Sequence, residues 1–95
     1  MDVVLNPEDV RVQAELGDCP IWWRGLGSDG SPLGLSADLI HGLLTWNRRY
    51  ETWATSPDRP DASEIIDFRL TGLRLAAQVQ EHLGARYRVS YRQVL

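Results

Sequence analysis

Residues Ser36–Trp53, SADLIHGLLTWNRRYETW, form the most sharply periodic stretch of the chain, and their reading decides the fold. Leu39, Leu43, Trp46, Tyr50 and Trp53 recur at helical spacing and fall on one narrow stripe. Ile40 and Leu44 widen that stripe on one flank, while His41, Thr45, Arg48 and Thr52 fall opposite, towards water. Two Trp and a Tyr on one stripe make a large apolar surface that other elements must cover. Ser36 is the expected N-cap of this helix, and Asp38 lies in its first turn near the positive end of the dipole.

Moving towards the C-terminus, Thr55–Pro60 reads as a tight polar connector with two Pro. Asp61-Ala62-Ser63-Glu64 then has the form of a capping box, with Asp as the cap. The second helix is expected to run to Leu83, with Gly84 just past its end. Ile65, Phe68, Gly72, Leu75, Ala76, Val79 and Leu83 share one face, and Ile66, Leu70, Leu73 and Ala77 flank it. So broad an apolar arc predicts a helix covered on more than one side. Gly42 and Gly72, each at an apolar stripe, predict that the two helices approach closely there. Arg86–Val94 alternates as a last strand, with Tyr87, Val89 and Tyr91 on one side and Arg86, Arg88, Ser90 and Arg92 on the other.

Moving towards the N-terminus, Gly25–Leu35 is rich in Gly, Ser and Pro and reads as a loop. Ile21–Arg24 and Val10–Leu16 read as two antiparallel strands joined by the turn residues Gly17-Asp18-Cys19-Pro20. Val3-Val4-Leu5 is a further short edge-strand candidate in a loose N-terminal segment, residues 1–9. The expected order is β-β-α-α-β: one α+β domain over residues 1–95, with a three-stranded sheet and both helices on one face. The last strand is free to pair with the first in parallel or with the second in antiparallel fashion.

Ninety-five residues suit one core. Net charge is −3, unevenly spread. Twelve acids oppose five Arg in residues 1–67, whereas one acid opposes five Arg in residues 68–95. A basic C-terminal third suggests a docking surface, but overall acidity makes nucleic acid an improbable partner. The N-terminus has neither a basic n-region nor a long apolar run, and no stretch has the length of a membrane span, so a cytoplasmic protein without membrane contact is expected. Cys19 stands alone and excludes an internal disulfide.

Val10-Arg11-Val12, Pro20-Ile21-Trp22, the Gly-rich loop, Leu35-Ser36 before Trp46, Gly72-x-x-Leu75-Ala76 and Tyr87-x-Val89-x-Tyr91 together resemble a group of small actinobacterial α+β proteins without an assigned function. The similarity covers residues 10–91. Its motifs are structural, so it implies a fold and brings no activity, cofactor or catalytic residue.

Gly25-Leu26-Gly27-Ser28-Asp29-Gly30 matches GxGxxG after a strand. Ser31-Pro32-Leu33-Gly34 separates it from any helix, and the plain-loop reading is preferred to a dinucleotide site. Cys19, His41 and His82 lack paired spacing, so no metal site is expected. No nucleophile, base and metal set converges, no catalytic residue or cofactor is assigned, and an enzyme is not the favoured reading. Arg69 falls within the apolar arc of the second helix; it either pairs with Glu51 or Asp38 or, the favoured reading, lays its stem along the arc's edge with its charge in water, and Gln80 rims the same face.

The tandem Trp22-Trp23 must split between the two faces of a strand, and the sequence leaves open which one is buried. The outward Trp, with Arg11, Arg24, Arg86, Arg88 and Arg92, makes an aromatic and guanidinium surface. Such a surface suits a protein partner or a second copy; the same groups also suit a Trp stacked under its own Arg neighbours with no ligand. The favoured reading is a non-enzymatic protein-interaction module, with possible homodimer pairing along the last strand. The alternatives are a weak single-stranded nucleic-acid binder on the same face, or a small-ligand pocket under Gly25–Leu35 lined by Trp46, Arg49 and Tyr50.

Overall fold

In a computed structural model, which describes residues 6–95, the periodic stretch is helix α1, Ala37–Thr55. Val3–Leu5 lies outside the described residues. Ser36 caps α1 through its hydroxyl, which accepts from the Leu39 amide at 3.3 Å. Helix α2, Ala62–Leu83, starts on a complete capping box. The Asp61 carboxylate accepts from the Glu64 amide at 2.8 Å, and the Glu64 side chain accepts from the Asp61 amide at 3.2 Å. The Glu64 amide, and next the Ser63 hydroxyl, donate to its ionised form and hold the Asp61 carboxyl below the usual carboxylate range.

The strands are β1 (Glu8–Val12), β2 (Ile21–Trp23), β3 (Leu26–Ser28) and β4 (Tyr87–Tyr91). The class is α+β, as the sequence predicts, but the sheet has four strands among the described residues, in the order β3-β2-β1-β4. The extra strand comes from the segment expected to be a loop. Arg24 and Gly25 both have positive φ, 54° and 76°, which is the signature of the tight turn that matches strand twist. They return the chain along β2 as β3, and a single 3-10 turn, Ser31–Leu33, follows. Pairing of β4 is resolved as parallel to β1, so the sheet is mixed.

Val10, Val12 and Ile21 are fully buried, and Trp23, Tyr87, Val89 and Tyr91 pack partly buried against the same core. The helices therefore lie on that face. At the centre, Trp46 of α1 stacks on Phe68 of α2 with centroids 4.7 Å apart, and its indole N–H donates to the Phe68 carbonyl at 2.9 Å. Gly72 makes this possible: a Cβ there would lie 2.7 Å from the Trp46 ring and 2.5 Å from that of Tyr91.

Strand β1 ends at Val12 rather than Leu16 because the chain leaves the ladder and is caught by a side chain. Asn47 of α1, fully buried, accepts from the Glu15 amide and donates to the Glu15 carbonyl, both at 2.8 Å. It also donates to the Glu51 carboxylate at 2.8 Å. A primary amide thus replaces a strand partner for one residue.

Helix propensity alone favours Gly72→Ala by about 1 kcal/mol. The close approach should reverse the sign, since overpacking costs about 1–3 kcal/mol. A lower urea midpoint with unchanged helical circular dichroism is expected; a raised midpoint would show that Trp46 and Tyr91 move aside freely.

Candidate functional site

Strand alternation and register fix which side chains stand on the face turned away from the helices. Gly27, Trp22, Arg11 and Ser90 form one row across all four strands, and Asp9 and Arg88 form the next. The Arg92 amide donates to the Val12 carbonyl at 2.9 Å, which carries the same alternation one step past β4. Arg86 precedes β4, exposed, and its carbonyl accepts from the Glu8 amide at 3.0 Å.

Trp22 is the outward member of the tandem pair. Its indole lies across Gly27, where a Cβ would meet the ring at 3.0 Å. Arg11 sits over the same ring, 5.8 Å from its centroid, within cation–π range. Neither the Trp22 indole N–H nor the Arg11 Nε finds an acceptor within the described chain. Arg88 donates to Asp9 at 2.8 Å, and both side chains remain mostly exposed. The hydrogen bond and charge of Arg88 hold the Asp9 carboxyl below the usual range. Because that pKa is depressed, the pair's stabilisation is present above the ordinary carboxylate value and is lost as pH falls through the lowered one.

One of the six Arg and Trp positions expected on this surface besides Trp23 does not join it. Arg24 occupies the left-handed turn position, which breaks strand alternation. Its guanidinium turns to the helix side, 4.3 Å above the Trp23 ring, and donates to Glu8 at 2.8 Å. Trp23 also faces that side, edge-on to Tyr87 at 6.3 Å. Arg24 and Trp23 are therefore corrected out of the open face, leaving Arg11, Trp22, Arg86, Arg88 and Arg92.

The pocket expected under Gly25–Leu35 is not formed by its expected residues. Trp46 is core, Arg49 pairs with Asp67 at 2.9 Å, and Tyr50 lines a separate cleft with Trp53, Val94 and Leu95. Beside the loop there is instead a hollow of about 290 Å³ between Trp23, Leu26, Ser28 and Pro32. The GxGxxG segment runs along β3 into a turn, where Asp29 accepts from the Ser31 amide at 2.8 Å, and it opens no helix. Cys19 is free, and no group of three or more His, Cys, Asp or Glu among the described residues is placed to hold a metal.

Arg69 takes neither Glu51 nor Asp38 as partner; its guanidinium donates to the Leu95 carbonyl. Its charge also partly offsets the rise that burial imposes on the Tyr91 hydroxyl. Gln80 does more than rim its face. Its amide nitrogen donates to the Tyr87 carbonyl at 2.8 Å, and its oxygen accepts from the Val89 amide at 2.8 Å. These are outer-edge groups of β4, so Gln80 covers part of the edge expected to pair with a second copy. Sequence spacing gave no signal for this role, because Gln80 and Val89 are nine positions apart and meet only once β4 folds back on α2.

The sheet face turned away from the helices carries Trp22 and Arg11, both half-buried, with Arg86, Arg88 and Arg92 exposed beside them. A family model described as Serratia CdiI immunity protein-like matches residues 8–94, and the chain belongs to that family. Comparison with curated proteins finds no match. No helix among the described residues is long and apolar enough to cross a membrane.

Two outcomes test this geometry. Arg88→Ala should return the Asp9 titration midpoint, followed by NMR, upward to the ordinary carboxylate range. Gln80→Ala should speed hydrogen exchange at the Val89 amide by about fivefold or more, since a lost hydrogen bond is worth about 1 kcal/mol or above. Unchanged exchange would show that Gln80 leaves this edge unprotected.

Proposed function

We propose that this protein is an immunity protein that binds and neutralises a toxin, and that the open sheet face is the contact surface. The family match supports the toxin as partner. The observation that carries the surface is that the helices cover one side of the sheet and leave Trp22, Arg11, Arg86, Arg88 and Arg92 on the other.

Trp and Arg concentrate binding energy at interfaces, because one buries area and the other makes forked hydrogen bonds. Among the described strand residues, alternation places one acid, Asp9, on this face with Arg11 and Arg88, and Arg86 and Arg92 flank them, so the described face is electropositive on an acidic chain. It fits an acidic patch on the toxin. Because strand pairing already fixes the platform, binding requires little rearrangement of its backbone.

The test is co-purification with the cognate toxin, paired with growth protection on co-expression. Arg88→Glu with Arg92→Glu should weaken the complex by about a hundredfold or more, as several like charges are set against the patch. Circular dichroism should stay unchanged, because both side chains are exposed. Full protection by the doubly reversed variant would sink the assignment of this face.

A further inference from the structure

One flank of the apolar arc of α2, expected to be covered on more than one side, is left uncovered. Ile66, Leu70 and Leu73 are 55%, 61% and 50% exposed, and Ala77 beside them is exposed as well. These four follow the 4-3-4 spacing of a coiled-coil seam. The stripe points away from the core face of the helix, which carries Phe68, Gly72, Leu75 and Val79. Isolated exposed Leu residues are ordinary; four apolar positions in line on one helix face are an unpartnered seam.

We infer that the occupant of this seam is α2 of a second copy, packed antiparallel. The stripe is self-complementary. A two-fold axis through its midpoint sets Leu70 against the second copy's Leu73 and Ile66 against the second copy's Ala77.

The flanking charges select the same arrangement. Asp67 and Arg74 lie on one flank of the seam, one heptad apart, astride the axis. Antiparallel packing faces that flank with its own copy, so each Asp67 meets the other chain's Arg74, and the pair forms twice. Parallel packing would set Arg69 beside the second copy's Arg74, a like-charge contact. Both partners are available. Asp67 keeps a side chain 67% exposed despite its bond to Arg49, and Arg74 is in none of the ion pairs among the described residues.

Four side chains per copy bury less than the roughly 1,600 Å² of a standard interface. The dimer is therefore weak and concentration-dependent. The inference stands apart from toxin binding, because the seam and the open sheet face share no residue.

The test is sedimentation equilibrium of the whole chain from about 10 μM to about 1 mM, the range in which small interfaces associate. The mass should rise from 10.8 kDa towards twice that value. Leu70→Glu should weaken association about tenfold or more by burying a charge in the seam, with circular dichroism unchanged. D67R and R74D should each weaken it, and the two together should restore it. A mass fixed at the monomer value up to about 1 mM would overturn the inference, and so would dimerisation indifferent to Leu70→Glu. Failure of the charge swap to rescue would overturn the antiparallel pairing. Toxin binding lost in Leu70→Glu without any change of mass would reassign the seam to the partner.

Discussion

Trp46 is the contact that joins every layer of this molecule. Its ring stacks on Phe68, its N–H reaches the Phe68 carbonyl, and Tyr91 of β4 packs against it at 6.1 Å between centroids. A large aromatic can occupy that place only because Gly72 removes a side chain from the facing turn of α2. One residue therefore fixes the spacing of the two helices and seats both on β4. The open face depends on this in turn. The odd-numbered residues of β4 are drawn under the helices, and alternation then has to send Arg88, Ser90 and Arg92 the other way.

Parallel pairing of β1 with β4 gives the sheet its character. It places the N-terminal strand beside the basic C-terminal one and brings Asp9 against Arg88, residues 79 apart in sequence. It also makes β4 an edge. That edge is blunted from α2 by Gln80, whose amide engages Tyr87 and Val89 as a neighbouring strand would. A protein with an uncovered strand edge risks pairing with any extended chain. One covered there offers an extended chain fewer free backbone groups to pair with.

How much of this was legible depended on the range of the interaction. Caps and stripes are local, and they read correctly: Ser36, the Asp61–Glu64 box, the Leu43–Trp46 stripe and the opposed faces of β4 all follow from neighbours within one or two turns. β3 was hidden because three residues, one of them apolar, offer no alternation, and Arg24-Gly25 lacks the Asn-Gly or Asp-Gly signal of a tight hairpin. The direction of Arg24 was hidden for the same reason, since a left-handed turn residue does not obey strand parity. Asn47 and Gln80 could not be assigned because their partners, Glu15 and Val89, are brought to them only by tertiary structure. For Ile66, Leu70 and Leu73 the sequence does show an apolar arc. What it cannot show is that one chain has too few elements to cover the whole of it.

That shortfall has a geometric consequence. The core face of α2 rests on β4, β1 and α1, and the seam lies on the opposite side of the helix. The open sheet face lies beyond β4 in the other direction, so the helical layer separates the two surfaces. A copy docked on the seam contacts neither Trp22 nor the Arg row. Two chains joined through α2 would each keep a free sheet face, pointing outward from the joint. The small core thus leaves one surface apolar and self-complementary and another aromatic and cationic, and their placement lets both be occupied at once.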